Sequence, residues 1–288
     1  MLPIVLSLLS SVCFAFGNVV MTRGLSGLDH FTGLVVNLTT NAVLLWLYLA
    51  ASSAPIELWV PVNLLFAGVG LLVPGVSRLC VIRGIQRMGA SVTSTAAGAA
   101  PLFAIVLALF FLNERPTPTN FVGALLIVGG IVLISWQGAR RSWRVWDLGF
   151  PLTAAFLFAL RDNLVRFGLL VTHSPVLAAA IAASSSALTM GGAYAARRAF
   201  PRWSPSTGSG LLWFASSGVA NFFAYVFMYT ALGLDRISVV SPLVSCFPVF
   251  VLPLAYVLLR GIEQVTARKV GATVSVVLGV LLISWERL

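Results

Sequence analysis

Four ionisable side chains, Arg78, Arg161, Asp162 and Arg166, stand inside otherwise apolar sequence. A charge in hydrocarbon costs a few kcal/mol or more, so such groups face a partner or a water-filled cavity and mark candidate binding positions. Asp162 and Arg166 are four residues apart, which predicts a structural ion pair on one helix face. Arg161 and Arg78 are then left to bind a ligand or to snorkel towards water. Three arginines against one aspartate leave a net charge of +2 (3 − 1) within the apolar sequence. A guanidinium fork holds a planar oxyanion in two parallel hydrogen bonds, so this excess suits a carboxylate, a phosphate or a zwitterion better than a cation. Asn221, Tyr225 and Tyr229 follow one another at helical spacing with Met228 alongside, a stripe that either packs or walls an amphipathic pocket. Arg78 and Tyr225 are 147 residues apart, the offset of the internal repeat described below. The expected substrate-binding set therefore places Arg78, with Arg161 as the alternative, on a carboxylate. Tyr225 and Tyr229 cover the apolar part, and Asn18 and Asn221 take an amino or hydroxyl group.

Other chemistry is absent from the pattern. Cys13, Cys80 and Cys246 lie singly in apolar runs with no CxxC or Cys/His spacing, so neither a disulfide framework nor a metal site is expected. No HExxH, no GxSxG and no glycine-rich phosphate loop followed by lysine occurs, which argues against an enzyme and against a cofactor. Glu114 and Glu263 begin loops and read as solvated or as caps of the following helix.

The elements that must position these residues are long and apolar. Hydrophobic residues make up 59% of the 288 and charged ones only 9%, far below the roughly 25% that a soluble globule carries. Nucleic acid as a partner would be the ordinary reading of the net charge of +10, but in an apolar chain that excess marks cytoplasmic loops. Crossing the roughly 30 Å hydrocarbon core takes about 20 residues. Ten runs qualify: residues 3–22, 30–51, 60–84, 90–112, 119–137, 148–170, 175–196, 210–233, 237–259 and 268–285. The expectation is an all-α integral membrane protein with short connections and no room for a soluble catalytic domain. The connections on one side hold twelve Lys and Arg, against Arg115, Arg236 and Arg287 on the other. That bias predicts an inner-membrane protein with both termini outside.

The chain also repeats. Ser91 and Pro101 return as Ser238 and Pro248 at an offset of 147; Glu114 and Ser135-Trp136 return as Glu263 and Ser284-Trp285 at 149. Residues 1–137 and 148–288 thus form two five-helix halves joined by a cytoplasmic linker at 138–147. An odd number of helices makes the halves enter the membrane in opposite senses, the plan of many secondary transporters, with binding near the midplane between halves. Pro101 and Pro248 remove backbone hydrogen bonds at equivalent places, so they are expected to kink or break their helices and are candidate hinge or gate points.

Ala90-Ser91, Pro101-Leu102-Phe103, Glu114-Arg115-Pro116-Thr117 and Gly123-Ala124-Leu125-Leu126 resemble the EamA-type branch of the drug/metabolite transporter superfamily. The second half departs from that pattern at Arg260-Gly261-Ile262-Glu263-Gln264. The resemblance implies two five-helix repeats and a carrier for a small molecule. The expectation is export of a small polar metabolite, such as an amino acid or organic anion, by a monomer or homodimer in a lipid bilayer. A flippase for a lipid-linked metabolite is the alternative, followed by a channel or a membrane-embedded enzyme.

Overall fold

The computed structural model describes residues 1–24, 28, 30–52, 56–88, 93, 96–135, 144–198, 208–258 and 267–285. Among these every regular element is helical, as it must be where lipid offers no partner for a backbone N–H or C=O. The first half holds α1 (Leu2–Gly24), α2 (His30–Ala51), α3 (Val62–Gly70), a π-helical stretch (Leu71–Val76), α4 (Ser77–Met88), α5 (Ala100–Phe111) and α6 (Pro118–Ser135). A short 3-10 turn (Val145–Leu148) leads into the second half, α7 (Gly149–Val171), α8 (Pro175–Arg198), α9 (Gly208–Leu234), α10 (Ile237–Val244), α11 (Phe247–Leu258) and α12 (Ala267–Trp285). All ten predicted spans are present, three of them in pieces. Among the described residues four helices are long and apolar enough to cross a membrane by themselves, Leu2–Gly24, Phe31–Ala51, Pro175–Ala196 and Ser209–Leu234.

Among the described residues three breaks interrupt the spans. The run 60–84, expected to be continuous, turns at Val73-Pro74, where Val73 has extended backbone (φ −131°, ψ 127°). Proline has no N–H and blocks the preceding turn, which accounts for the interruption. The other two precede Pro101 and Pro248, each the second residue of its helix, α5 or α11. The preceding turns, at Gly98-Ala99 and Ser245-Cys246, lie 147 residues apart (245 − 98). Each proline thus opens a new helix, where its missing N–H is one of the donors a helix start leaves unpaired.

Packing follows the repeat. α1 lies on α9 while α7 lies on α3 and α4; α2 lies on α9 while α8 lies on α3; α1 meets α10 and α11 while α7 meets α5. Exchanging the halves turns the first member of each pair into the second, and α2–α8 and α6–α12 map onto themselves. The α6–α12 contact is close because Gly123 and Gly279 meet: a Cβ on Gly123 would sit 2.8 Å from the Gly279 carbonyl oxygen. Ser275 Oγ donates across the same contact to the Leu126 carbonyl at 2.8 Å. Leu45, Phe66, Ala159, Leu169 and Tyr229 belong to the buried core between the halves. Leu64, Phe110 and Leu188 are 78%, 75% and 76% exposed, a surface that suits acyl chains and not water.

Candidate substrate cavity between the halves

Asp162 lies on α7, the helix that carries three of the four charges that the sequence sets in apolar runs. It does not pair with Arg166 as the four-residue spacing predicts. Its Oδ1 accepts two bonds from Arg161, from Nε at 3.0 Å and Nη2 at 2.8 Å, and its Oδ2 accepts the Ser241 hydroxyl of α10 at 2.9 Å. Both members of the pair are nearly enclosed, with side chains 12% and 9% exposed, so Arg161 does not snorkel. Its guanidinium also lies 5.6 Å from the Phe158 ring centre and places Nη2 3.8 Å from Met228 Sδ.

Arg166 is drawn elsewhere. Its Nη1 donates to the carbonyls of Leu232 and Gly233 at 2.8 and 2.9 Å, among the last four carbonyls of α9, which have no partner within their own helix. The negative end of that helix favours a cation. Arg166 Nε faces Glu114 Oε1 at 3.5 Å. Glu114 Oε2 in turn accepts the N–H of Ile237 at 2.9 Å, so it caps α10 of the opposite half and not the following helix. Burial pushes the Glu114 carboxyl up from its ordinary range, against the opposing pull of the Ile237 N–H and Arg166. Asp162 and Glu114 thus each face one arginine of α7, so counting Glu114 lowers the expected excess from +2 to +1 (3 − 2). The Arg78 side chain lies outside the described residues, as does Glu263.

Arg161, Tyr225 and Tyr229 come together on the wall of one small cavity, with Leu38 and Asn41 of α2, Val73 and Pro74 of the broken span, and Ala179, Ala182, Ala183 and Ser186 of α8. Both halves contribute. The two tyrosine rings stand edge to face at 6.0 Å, and Phe14 of α1 meets Tyr225 in the same manner at 5.3 Å. The volume open to the centre of a water molecule is about 10 Å³, room for a single water. Asn41 is 1% exposed and its Oδ1 has no hydrogen-bond partner, an orphaned acceptor on the wall of this cavity.

The break in the third span is satisfied from α8. Ser186 Oγ lies 2.7 Å from the Gly70 carbonyl and 2.9 Å from that of Val73, so one hydroxyl serves the acceptors that the interrupted ladder frees. A Cβ on Gly70 would collide with the Ala182 carbonyl, so this residue has to be glycine for α3 and α8 to approach. Non-helical backbone at membrane depth is tolerated where it is buried or lines a cavity, and here it does both.

Asn18 and Asn221 are not on this wall. Asn221 Nδ2 donates to Asn37 Oδ1 at 3.0 Å, Asn37 Nδ2 to Ser217 Oγ at 2.8 Å, and Ser217 Oγ to the Gly17 carbonyl at 2.9 Å, a network that ties α1, α2 and α9. Asn18 is outside this network; its backbone carbonyl accepts the Thr22 hydroxyl one turn along α1 at 2.9 Å. The residues that sequence reasoning missed are Asn41, Ser186 and Val73-Pro74. Only the last had a signal, the Pro74-Gly75 dipeptide inside an apolar run.

No curated protein matches the sequence. A solved crystal structure, described only as that of a protein, is similar over 98% of this chain and 96% of its own, with a TM-score of 0.80 at 16% identity. That likeness is one of fold. The model of the EamA-like transporter family matches residues 1–136 and again 145–285, once for each half. With both halves matched, this chain belongs to the EamA-like transporter family, whose members are multi-pass membrane transporters.

Proposed function

We propose that the protein is a secondary transporter that carries a small zwitterionic metabolite, such as an amino acid, out of the cell across the inner membrane by alternating access. The observation that carries this reading is the meeting of Arg161, itself paired with Asp162 behind it, with Tyr225, Tyr229, the orphaned Asn41 oxygen and a broken helix on one cavity between the halves. The pair is neutral, and this decides between an anion and a zwitterion. An anion that took Arg161 would leave Asp162 buried without its partner, at a cost of several kcal/mol. A zwitterion replaces one internal ion pair by two, carboxylate on Arg161 and ammonium on Asp162, with Asn41 Oδ1 as a further acceptor. Tyr225 and Tyr229 offer apolar ring surface to the remainder. A volume of about 10 Å³ holds no metabolite, so loading requires the halves to part on one side. The outward direction rests on the resemblance to metabolite exporters.

Untargeted metabolite profiling of medium from cells with and without the protein, followed by binding of each hit to purified protein, tests this reading. The expected hits are zwitterions whose binding weakens about five- to tenfold in Asn41→Leu, one buried hydrogen bond being worth about 1–1.5 kcal/mol. A cationic substrate overturns the assignment.

A further inference from the structure

On the outer face of α1, α9 and α11 lies an open groove of about 440 Å³, lined by Val12, Cys13, Phe16, Ser216, Val219, Ala220, Phe223 and Leu254 and almost wholly apolar. It stands apart from the substrate cavity, on the opposite side of α9 from Tyr225 and Tyr229. Val12, Phe16, Val219 and Phe223 are between 37% and 46% exposed, so the groove opens to the surroundings of the protein.

The upper end of this groove is marked by charge. Val12, Phe16 and Arg23 fall on one stripe of α1, at i, i+4 and i+11, and Trp213, Ser216, Ala220 and Phe223 fall on one stripe of α9, at i, i+3, i+7 and i+10. Following both stripes away from the groove leads to Arg23 and Trp213, whose guanidinium and ring centre are 5.1 Å apart. Arginine and tryptophan together are what a membrane protein places at the headgroup level. On α9 the groove runs from Ser216, three residues or about 5 Å beyond Trp213, to Phe223, ten residues or about 15 Å beyond it, and on α1 it takes in Phe16 and Val12, about 10 and 16 Å deeper than Arg23. One leaflet of hydrocarbon is about 15 Å thick, half the roughly 30 Å core. Depth, apolar lining and a cation at the interface therefore coincide with one lipid molecule.

We propose that this groove is a binding site for one anionic phospholipid, an acyl chain lying between Phe16 and Phe223 and the phosphate held by Arg23. Arginine offers five N–H donors, so Arg23 can add a phosphate oxygen to the interactions it already makes while its face rests on Trp213. Side-chain counts by connection place this end of α1 and the start of α9 on the basic side, where anionic headgroups are attracted.

Native mass spectrometry of the full chain in detergent, titrated with dioleoyl phosphatidylglycerol or dioleoyl phosphatidylcholine, tests the site. One phosphatidylglycerol per chain is expected, bound about fivefold tighter than phosphatidylcholine, the factor that one arginine near an anionic surface supplies. Arg23→Gln should bring phosphatidylglycerol down to the phosphatidylcholine level. Ser216→Trp, at an exposed wall position, should weaken both lipids by filling the groove. Equal affinity of the unaltered protein for the two lipids overturns the proposal without recourse to any variant. So does lipid binding unchanged in Ser216→Trp, or a two-chain mass that Ser216→Trp reduces to one, which would assign the groove to a second copy of the chain.

Discussion

Asp162 gives one oxygen to Arg161 and the other to Ser241, so shortening it strands a buried guanidinium and a hydroxyl together. Asp162→Ala should therefore cost about 3–5 kcal/mol and lower the yield of folded protein, measured by detergent-solubilised monodispersity and melting temperature. Arg161→Met combined with Asp162→Leu should recover most of that stability, because well-packed apolar residues commonly replace a buried pair at no net cost. Substrate binding should nonetheless be absent in the double variant. Ser186→Ala leaves the Gly70 and Val73 carbonyls short of a donor and should cost about 1–3 kcal/mol in the same melting assay. At this scale the sequence was partly legible. Arg161, Tyr225 and Tyr229 were named from charge and spacing and do share a cavity. Their partners were not legible, because a four-residue spacing makes Asp162–Arg166 possible while the carbonyl end of α9, an acceptor on another helix, decides where Arg166 goes.

The helices of the two halves were readable from charge-free length alone, since the bilayer imposes that length. Interruptions were read only where a proline recurred at the same repeat position in both halves. Pro101 and Pro248 open α5 and α11 at equivalent places, whereas the turn at Val73-Pro74 has no counterpart in α9, which runs unbroken from Gly208 to Leu234. Gly70→Val sets a branched side chain against the Ala182 carbonyl and should cost at least about 1–3 kcal/mol, with Gly129→Ala, a position open to a Cβ, as the silent control. Short connections carry the electrostatics. Asp147 accepts the Arg144 N–H at 3.0 Å and Arg87 Nη1 at 2.8 Å, and these hold its carboxyl below the usual carboxylate range. A depressed folded value contributes stability above the unfolded value and loses it as pH falls through the folded one. The melting temperature should accordingly be higher in the unaltered protein than in Asp147→Asn near neutral pH, and the two should converge as pH falls below about 4.

Across the whole molecule the exchange symmetry of the helix contacts is the strongest structural support for two equivalent halves around a shared cavity. The repeat was legible in the serine, proline and glutamate offsets; the closed state of the cavity was not, because it depends on how α2, α7, α8 and α9 meet. Single cysteines near the breaks before Pro101 and Pro248, in a background lacking Cys13, Cys80 and Cys246, should change accessibility in opposite senses when substrate is added. Parallel changes would remove the hinge role from both prolines. Orientation is a separate matter: the basic bias of the connections predicts both termini outside, so a C-terminal alkaline phosphatase fusion should be active and a C-terminal green fluorescent fusion dark. The central claim, a carrier that binds its substrate at Arg161, Tyr225 and Tyr229, is tested most directly by counterflow in proteoliposomes. Uptake of a labelled zwitterion identified by profiling should saturate and accelerate when the same compound is preloaded inside, and folded Arg161→Met/Asp162→Leu should show neither. Flux that rises linearly without saturation, or counterflow at the unaltered rate in the double variant, would contradict the account.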